Sequence, residues 1–197
     1  MKKGIMIVSL EMSSAQVIDR LVARLGQISL RTLAEGVKTA ADMNALHRAM
    51  SVLHASSLVI RDDLHDISSI VAAARSMAKS PDGLGILFVD YIQLVRCDLS
   101  TQRDSTRERE VAEVSRRLRL LGLELGCVVF AITQLNEQGR ARESRAIGQD
   151  ATCVMVVKLT EEAGNEREIA IPIQRSGPCG VSCTLGFNGK TATFTNK

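Results

Sequence analysis

Residues 86–94 read Ile86-Leu87-Phe88-Val89-Asp90-Tyr91-Ile92-Gln93-Leu94. Four apolar residues running into a carboxylate describe a strand buried on both faces that ends in a polar tip. The Pro81-Asp82-Gly83 break precedes it. Outward from this stretch the chain alternates. Gly4 to Leu10 is another apolar strand, Ser57 to Ile60 a short one, and Cys127 to Thr133 a fourth. Helical faces lie between them. Val17, Leu21 and Leu25 follow a Ser13/Gln16 capping box and stop at Gly26; Met43, Leu46, Met50 and Leu53 recur between Thr39 and Leu53. Ile67, Ile70, Val71, Ala74 and Met77 form a third face. Val111, Val114, Leu118, Leu121 and Leu125 form a fourth behind a Ser105/Glu108 capping box. Residues 134–149 read as a polar loop. Strands then fit Thr152–Leu159, Glu168–Gln174, Val181–Phe187 and Thr191–Thr195.

Alternating strands and helices imply an α/β fold, a mainly parallel sheet with helices on both faces. The strand-rich last third adds a β-hairpin region. In such sheets the chemistry sits at the carboxyl ends of the strands. That rule selects Glu11, Asp90 and Gln134, each just beyond a strand end. A carboxylate on a rigid strand tip can organise Mg²⁺ through its water shell, the Walker B arrangement, although an Asp there can equally be a turn former. Glu11 fits a general base that orients water, or equally a first-turn acid favoured by the helix dipole.

Composition narrows the partners. The 197 residues are 45% apolar and 24% charged, so the chain can bury a core. No apolar run approaches the roughly 18 residues of a membrane span, and the run after Lys2-Lys3 stops at Ser9, too short for a signal-peptide core. Four Phe, one Tyr and no Trp argue against stacking single strands on aromatic platforms. A net charge of +3 permits a nucleic-acid partner without demanding one. The odd set Cys97, Cys127, Cys153, Cys179 and Cys183 holds no C-x-x-C pair and reads as reduced thiols. His47, His54 and His65 have no metal-like spacing.

Taken in order, the motifs resemble those of DnaB-type replicative helicases. Ser9-Leu10-Glu11-Met12 is similar to the second-strand motif of that family, and Asp90-Tyr91-Ile92-Gln93-Leu94 to its Walker B signature. Thr133-Gln134-Leu135-Asn136 looks like the nucleotide-sensing strand. Arg142-Glu143-Ser144, with Ile147, Gln149, Asp150 and Ala151, resembles the DNA-contacting loop. Gln174-Arg175-Ser176-Gly177-Pro178 with Gly180 is similar to the arginine-finger hairpin, and Phe187-Asn188-Gly189 to the terminal turn.

The resemblance implies a RecA-like P-loop NTPase core over residues 1–197, a single motor domain truncated at its N-terminus. It implies ATP and Mg²⁺ as cofactors, single-stranded DNA as partner, a hexameric ring and a cytoplasmic setting. Glu11 would activate water and Asp90 would hold the magnesium shell. Gln134 would couple the γ-phosphate to the DNA loops, and Arg175 would reach a neighbouring subunit's nucleotide. Arg142, Glu143 and Arg145 would face the DNA backbone, where phosphate contacts need Arg and amides rather than aromatics.

The departures bear on activity. The chain contains no G-x-x-x-x-G-K-[ST], the loop whose amides and lysine cradle phosphates. Gly186, Gly189, Lys190 and Thr191 imitate its end, but Thr184 occupies the first glycine position and a β-branched strand pattern follows instead of a helix. Only eight residues precede Ser9, whereas the phosphate-loop strand, loop and helix of a β-α-β unit take roughly 30 or more. Ile173 stands where the family has a lysine, and Arg145 where it has a glycine. The missing strand would lie beside the one ending at Gln134, so one continuous family sheet is not expected from this chain alone. The leading reading is a helicase motor domain inactive by itself. The alternative is a short, phage-borne paralogue that acts as a DNA-binding or regulatory subunit. The reading frame upstream of Met1 separates the two.

Overall fold

The computed structural model describes residues 3–97, 106–134, 146–159 and 164–196. They fall into two compact units.

The first unit comprises residues 1–17 and 55–150. It holds β1 (Gly4–Ser9), β2 (Leu58–Arg61), β3 (Leu84–Asp90) and β4 (Val128–Ala131), with α4 (Ile67–Ala78), α5 (Arg107–Leu125) and α6 (Ala146–Asp150). All four strands are parallel, in the order β2-β1-β3-β4. One core joins Met6, Val8, Leu87 and Val89 of the sheet to Ile67, Ile70, Val71 and Ala74 of α4 and to Val111, Val114, Leu118 and Leu121 of α5. The 3.6-residue spacing of the apolar positions is what turns one stripe of each helix onto the strands. Asp66 caps α4 by accepting from the Ser69 amide at 2.8 Å. Thr106 caps α5 through the Arg109 amide, and Gly126, at φ +61°, ends it in the left-handed conformation that glycine adopts without steric cost. Ser105 lies outside the described residues. Residues 146–149, read above as loop, lie in α6 instead: Ile147 joins the core, and Asp150 at the helix end lies 3.8 Å from Arg119.

The second unit comprises residues 18–54 and 151–197. The helix α1 (Ser14–Gly26) begins in the first unit and continues into this one, which also holds α2 (Leu30–Glu35) and α3 (Ala40–His54). Its strands β5 (Cys153–Leu159), β6 (Glu166–Gln174), β7 (Val181–Asn188) and β8 (Thr193–Asn196) form an antiparallel meander in that order. Sequence periodicity missed α2, which is only six residues long and buries none of them. Lys190 and Thr191 lie in the β7–β8 turn with no helix behind them, so the glycine-lysine-threonine stretch there is a hairpin connection.

The strands therefore form two sheets rather than one. Among the described residues β4 pairs only with β3, and β5 only with β6. Along these edge strands Val128 is 55% exposed and Leu159 76%. All five cysteines are free, Cys97 buried and Cys153, Cys179 and Cys183 exposed. Burial pushes the Cys127 thiol up. Among the described residues no helix is long and apolar enough to cross a membrane.

Candidate functional site

Strand order places three of the selected residues on one edge. β1, β3 and β4 are consecutive neighbours running the same way, so Glu11, Asp90 and Gln134 follow their carboxyl ends side by side. Backbone bonds fix the tips. Ser9 stands opposite Asp90 in register, and the Leu10 amide donates to the Asp90 carbonyl at 2.8 Å. The Ile132 amide donates to the Val89 carbonyl at 3.0 Å, and the Ile92 amide to the Ile132 carbonyl at 3.0 Å. The Asp90–Tyr91 peptide is cis.

The turn carrying Glu11 is held from within. The buried Ser9 hydroxyl donates to the Met12 carbonyl at 2.8 Å, which folds Ser9-Leu10-Glu11-Met12 back at the strand end. The expected capping box follows: the Ser13 amide donates to Gln16 Oε1 at 3.0 Å, and the Gln16 amide to the Ser13 hydroxyl at 3.3 Å. Glu11 and Gln134 are exposed and Asp90 is half-buried, so solvent and solutes reach all three.

Sequence reasoning missed two contributors at this edge. Asp62, just past β2, accepts from the Ser14 amide at 2.7 Å, and the Ser14 amide and hydroxyl hold its carboxyl below the ordinary carboxylate range. Neighbouring Asp63 is held low by the two-pronged Arg61 guanidinium, at 2.7 and 2.8 Å. Gln93 joins the turn after Asp90 to Thr133 at 2.6 Å. Asp62 has no local signal, because its partner is 48 residues away; Gln93 lies inside a recognised motif yet had no assigned role.

Arg175 belongs to the second unit. It opens the β6–β7 hairpin, where its amide donates to the Thr152 carbonyl at 2.9 Å. A side chain at Gly177 would meet Gln174, its Cβ 2.4 Å from Nε2, so glycine is what lets the Gln174 side chain fold over this turn. Gly180, at φ +75°, closes it with a bond to the Ile171 carbonyl at 2.8 Å. Arg175 is therefore an exposed cation on a backbone-braced turn. Arg142, Glu143 and Arg145 lie outside the described residues.

The residues present match only part of a magnesium–nucleotide site. Asp90 offers a carboxylate suited to a water-mediated cation contact, and among the described residues no three metal-ligating side chains cluster. The 197 residues provide no glycine-lysine phosphate cradle, and the Lys190 turn is a β-hairpin. Bound phosphates do not fit this chain's residues alone.

The pattern of the DnaB-like helicase C terminal domain matches residues 1–196. The chain is 33% identical over 211 residues to the replicative DNA helicase DnaB of Geobacillus stearothermophilus, covering 98% of this chain and 46% of that protein. It is 30% identical over 213 residues to the replicative DNA helicase DnaB of Buchnera aphidicola subsp. Schizaphis graminum, covering 98% and 45%. The chain thus spans less than half the length of these relatives. Its structure is similar to that of a DnaB-like replicative helicase solved for its interactions with primase, with a TM-score of 0.87 and 25% identity over 99% of this chain and 51% of that one. With a parallel sheet that lines up Glu11, Asp90 and Gln134 and a family pattern spanning nearly every residue, this chain belongs to the DnaB-like helicase C-terminal domain family.

Proposed function

We propose that the chain serves as the motor-type core of a replicative DNA helicase ring and does not turn over ATP by itself. The convergence of Glu11, Asp90 and Gln134 on the carboxyl edge of one parallel sheet carries this reading, because that edge is where open α/β sheets place their ligands. The same edge lacks a phosphate cradle among these 197 residues, so the isolated chain binds Mg-ATP weakly. Its contribution to a hexameric ring on single-stranded DNA comes through Arg175, a cation presented on a rigid turn toward a neighbouring subunit's nucleotide.

The test mixes the chain with a full-length DnaB helicase and follows ATP hydrolysis. Stimulation by the chain, lost with Arg175→Ala, supports the proposal. Equal rates with both chains, or a tight magnesium-dependent nucleotide complex of the isolated chain, overturn it. The absence of a phosphate cradle also favours the second reading, a non-enzymatic DNA-binding or regulatory subunit. In that case the chain changes the DNA affinity of the mixed ring while Arg175→Ala has no effect on its ATP hydrolysis.

A further inference from the structure

Backbone bonds join the tips of β3 and β4 at Ile132, two residues before Gln134. A side chain carries the connection further. Gln93 lies half-buried in the 3-10 turn Ile92–Leu94, just past Asp90. Its Nε2 donates to the Thr133 hydroxyl at 2.6 Å, and that hydroxyl lies 3.4 Å from the Gln134 carbonyl oxygen, to which it donates. Gln93 is itself anchored from behind. Its carbonyl accepts from the Arg107 guanidinium, which also reaches the Val95 carbonyl at 3.3 Å and pairs with the Glu110 carboxylate. Arg107 is the first residue of α5, so a continuous set of contacts runs from that helix through Gln93 to Thr133 and, with Nε2 also donating to the Gln134 carbonyl at 3.5 Å, to Gln134 itself.

A single neutral hydrogen bond adds little net stability. Held by a charged, multiply bonded anchor, it instead restricts where a side chain can sit, which is what a functional residue needs from its supporting shell. We propose that Gln93, anchored by Arg107, is a positioning residue that keeps Gln134 at the tip of β4 in fixed register with Asp90 at the tip of β3. The functional meaning of that register rests on the reading of Asp90 and Gln134 given above.

The test uses the full 197-residue chain and four variants, Gln93→Leu, Thr133→Val, Thr133→Ser and the Leu/Val double, followed by NMR. The Gln93 side-chain amide protons should exchange about tenfold more slowly than those of exposed Gln16. Thr133→Val lowers that protection and moves the Gln134 backbone resonance, the longer bond from Nε2 to the Gln134 carbonyl remaining, whereas Thr133→Ser keeps the protection and leaves the resonance in place. Gln93→Leu moves the Gln134 resonance to the same place, and the double variant moves it no further, while core resonances such as Val89 stay put. An unmoved Gln134 resonance in Gln93→Leu, additive shifts in the double, or Thr133→Ser behaving like Thr133→Val overturns the proposal.

A second arm separates this idea from the functional reading. In the mixed ring, Arg175→Ala tests the functional reading, whereas Gln93→Leu is read by NMR, because Gln134 of this chain has no phosphate cradle beside it to couple. A lost Arg175→Ala effect with the NMR pattern intact sinks the functional reading and supports the positioning role of Gln93. An intact Arg175→Ala effect with an unmoved Gln134 resonance in Gln93→Leu sinks the positioning role and leaves the functional reading standing.

Discussion

The Leu10 amide donates to the Asp90 carbonyl at 2.8 Å, tying the turn that carries Glu11 to the tip of the neighbouring strand. The tie is backbone to backbone, so the exposed Glu11 side chain is not needed to hold it. Glu11→Gln should leave stability within about 0.5 kcal/mol of the parent in urea unfolding. Leu10→Pro removes the donor to the Asp90 carbonyl and should cost about 1–3 kcal/mol. Equal stability of the two variants would show that the tie does not hold the tip.

Asp66 gives a prediction with a pH signature. Its carboxylate caps α4, accepting from the Ser69 amide and hydroxyl, and those bonds, the hydroxyl first, hold its pKa below the ordinary 3.8. Asp66→Ala should cost about 1 kcal/mol at neutral pH. A carboxyl whose pKa is depressed in the folded state stabilises fully above its unfolded pKa, and that stability fades as pH falls through the folded value. The gap between parent and variant in urea midpoints should therefore be constant from about pH 7 to 5 and narrow below about 3.9. A gap independent of pH would remove the carboxylate from the cap.

These two sites show where sequence reading reached and where it stopped. Apolar runs gave β1, β3 and β4, and with them the three residues at the sheet edge, because strand ends follow from local pattern. The Ser13/Gln16 box was legible for the same reason, its partners being three residues apart. Asp62 was not, because its partner Ser14 meets it only after β1 and β2 have paired. The short helices α2 and α6 escaped because six and five residues cannot display a helical period. Thr106, one residue after the Ser105 read from the sequence, caps α5 through the Arg109 amide, and pattern alone does not choose between adjacent hydroxyls.

The bare edge of β4 makes a prediction about association. Val128 and Phe130 are 55% and 43% exposed, and Phe130 stacks on Phe88 at 4.8 Å across the strand pair. A flat apolar edge is a template for pairing with another chain. Val128→Lys places a charge there without removing the aromatic stack. Its scattering at high concentration should fall relative to the parent, with the urea midpoint shifted by less than about 0.5 kcal/mol in equivalent stability. Unchanged scattering would show that this edge is not the adhesive one.

The low aromatic content and the arginines after Gln134 make DNA binding a question of salt. With only five aromatic residues in the chain, contact with single strands should run through phosphates, and the contacts that the family resemblance implies are Arg142 and Arg145. Each phosphate neutralised on a single strand contributes about −0.7 to the slope of log affinity against log salt. The double variant Arg142→Ala with Arg145→Ala should therefore flatten that slope by about 1.4, with similar losses on unrelated oligonucleotide sequences. Phosphate contacts carry no sequence information, so a loss confined to one sequence would point to base recognition instead. Glu143 between them bears the opposite charge, so Glu143→Gln should strengthen binding at low salt and lose that advantage as screening rises. Fluorescence anisotropy over about 50 to 300 mM salt measures all three slopes, and parallel lines for parent and double variant would place the DNA contact elsewhere in the chain.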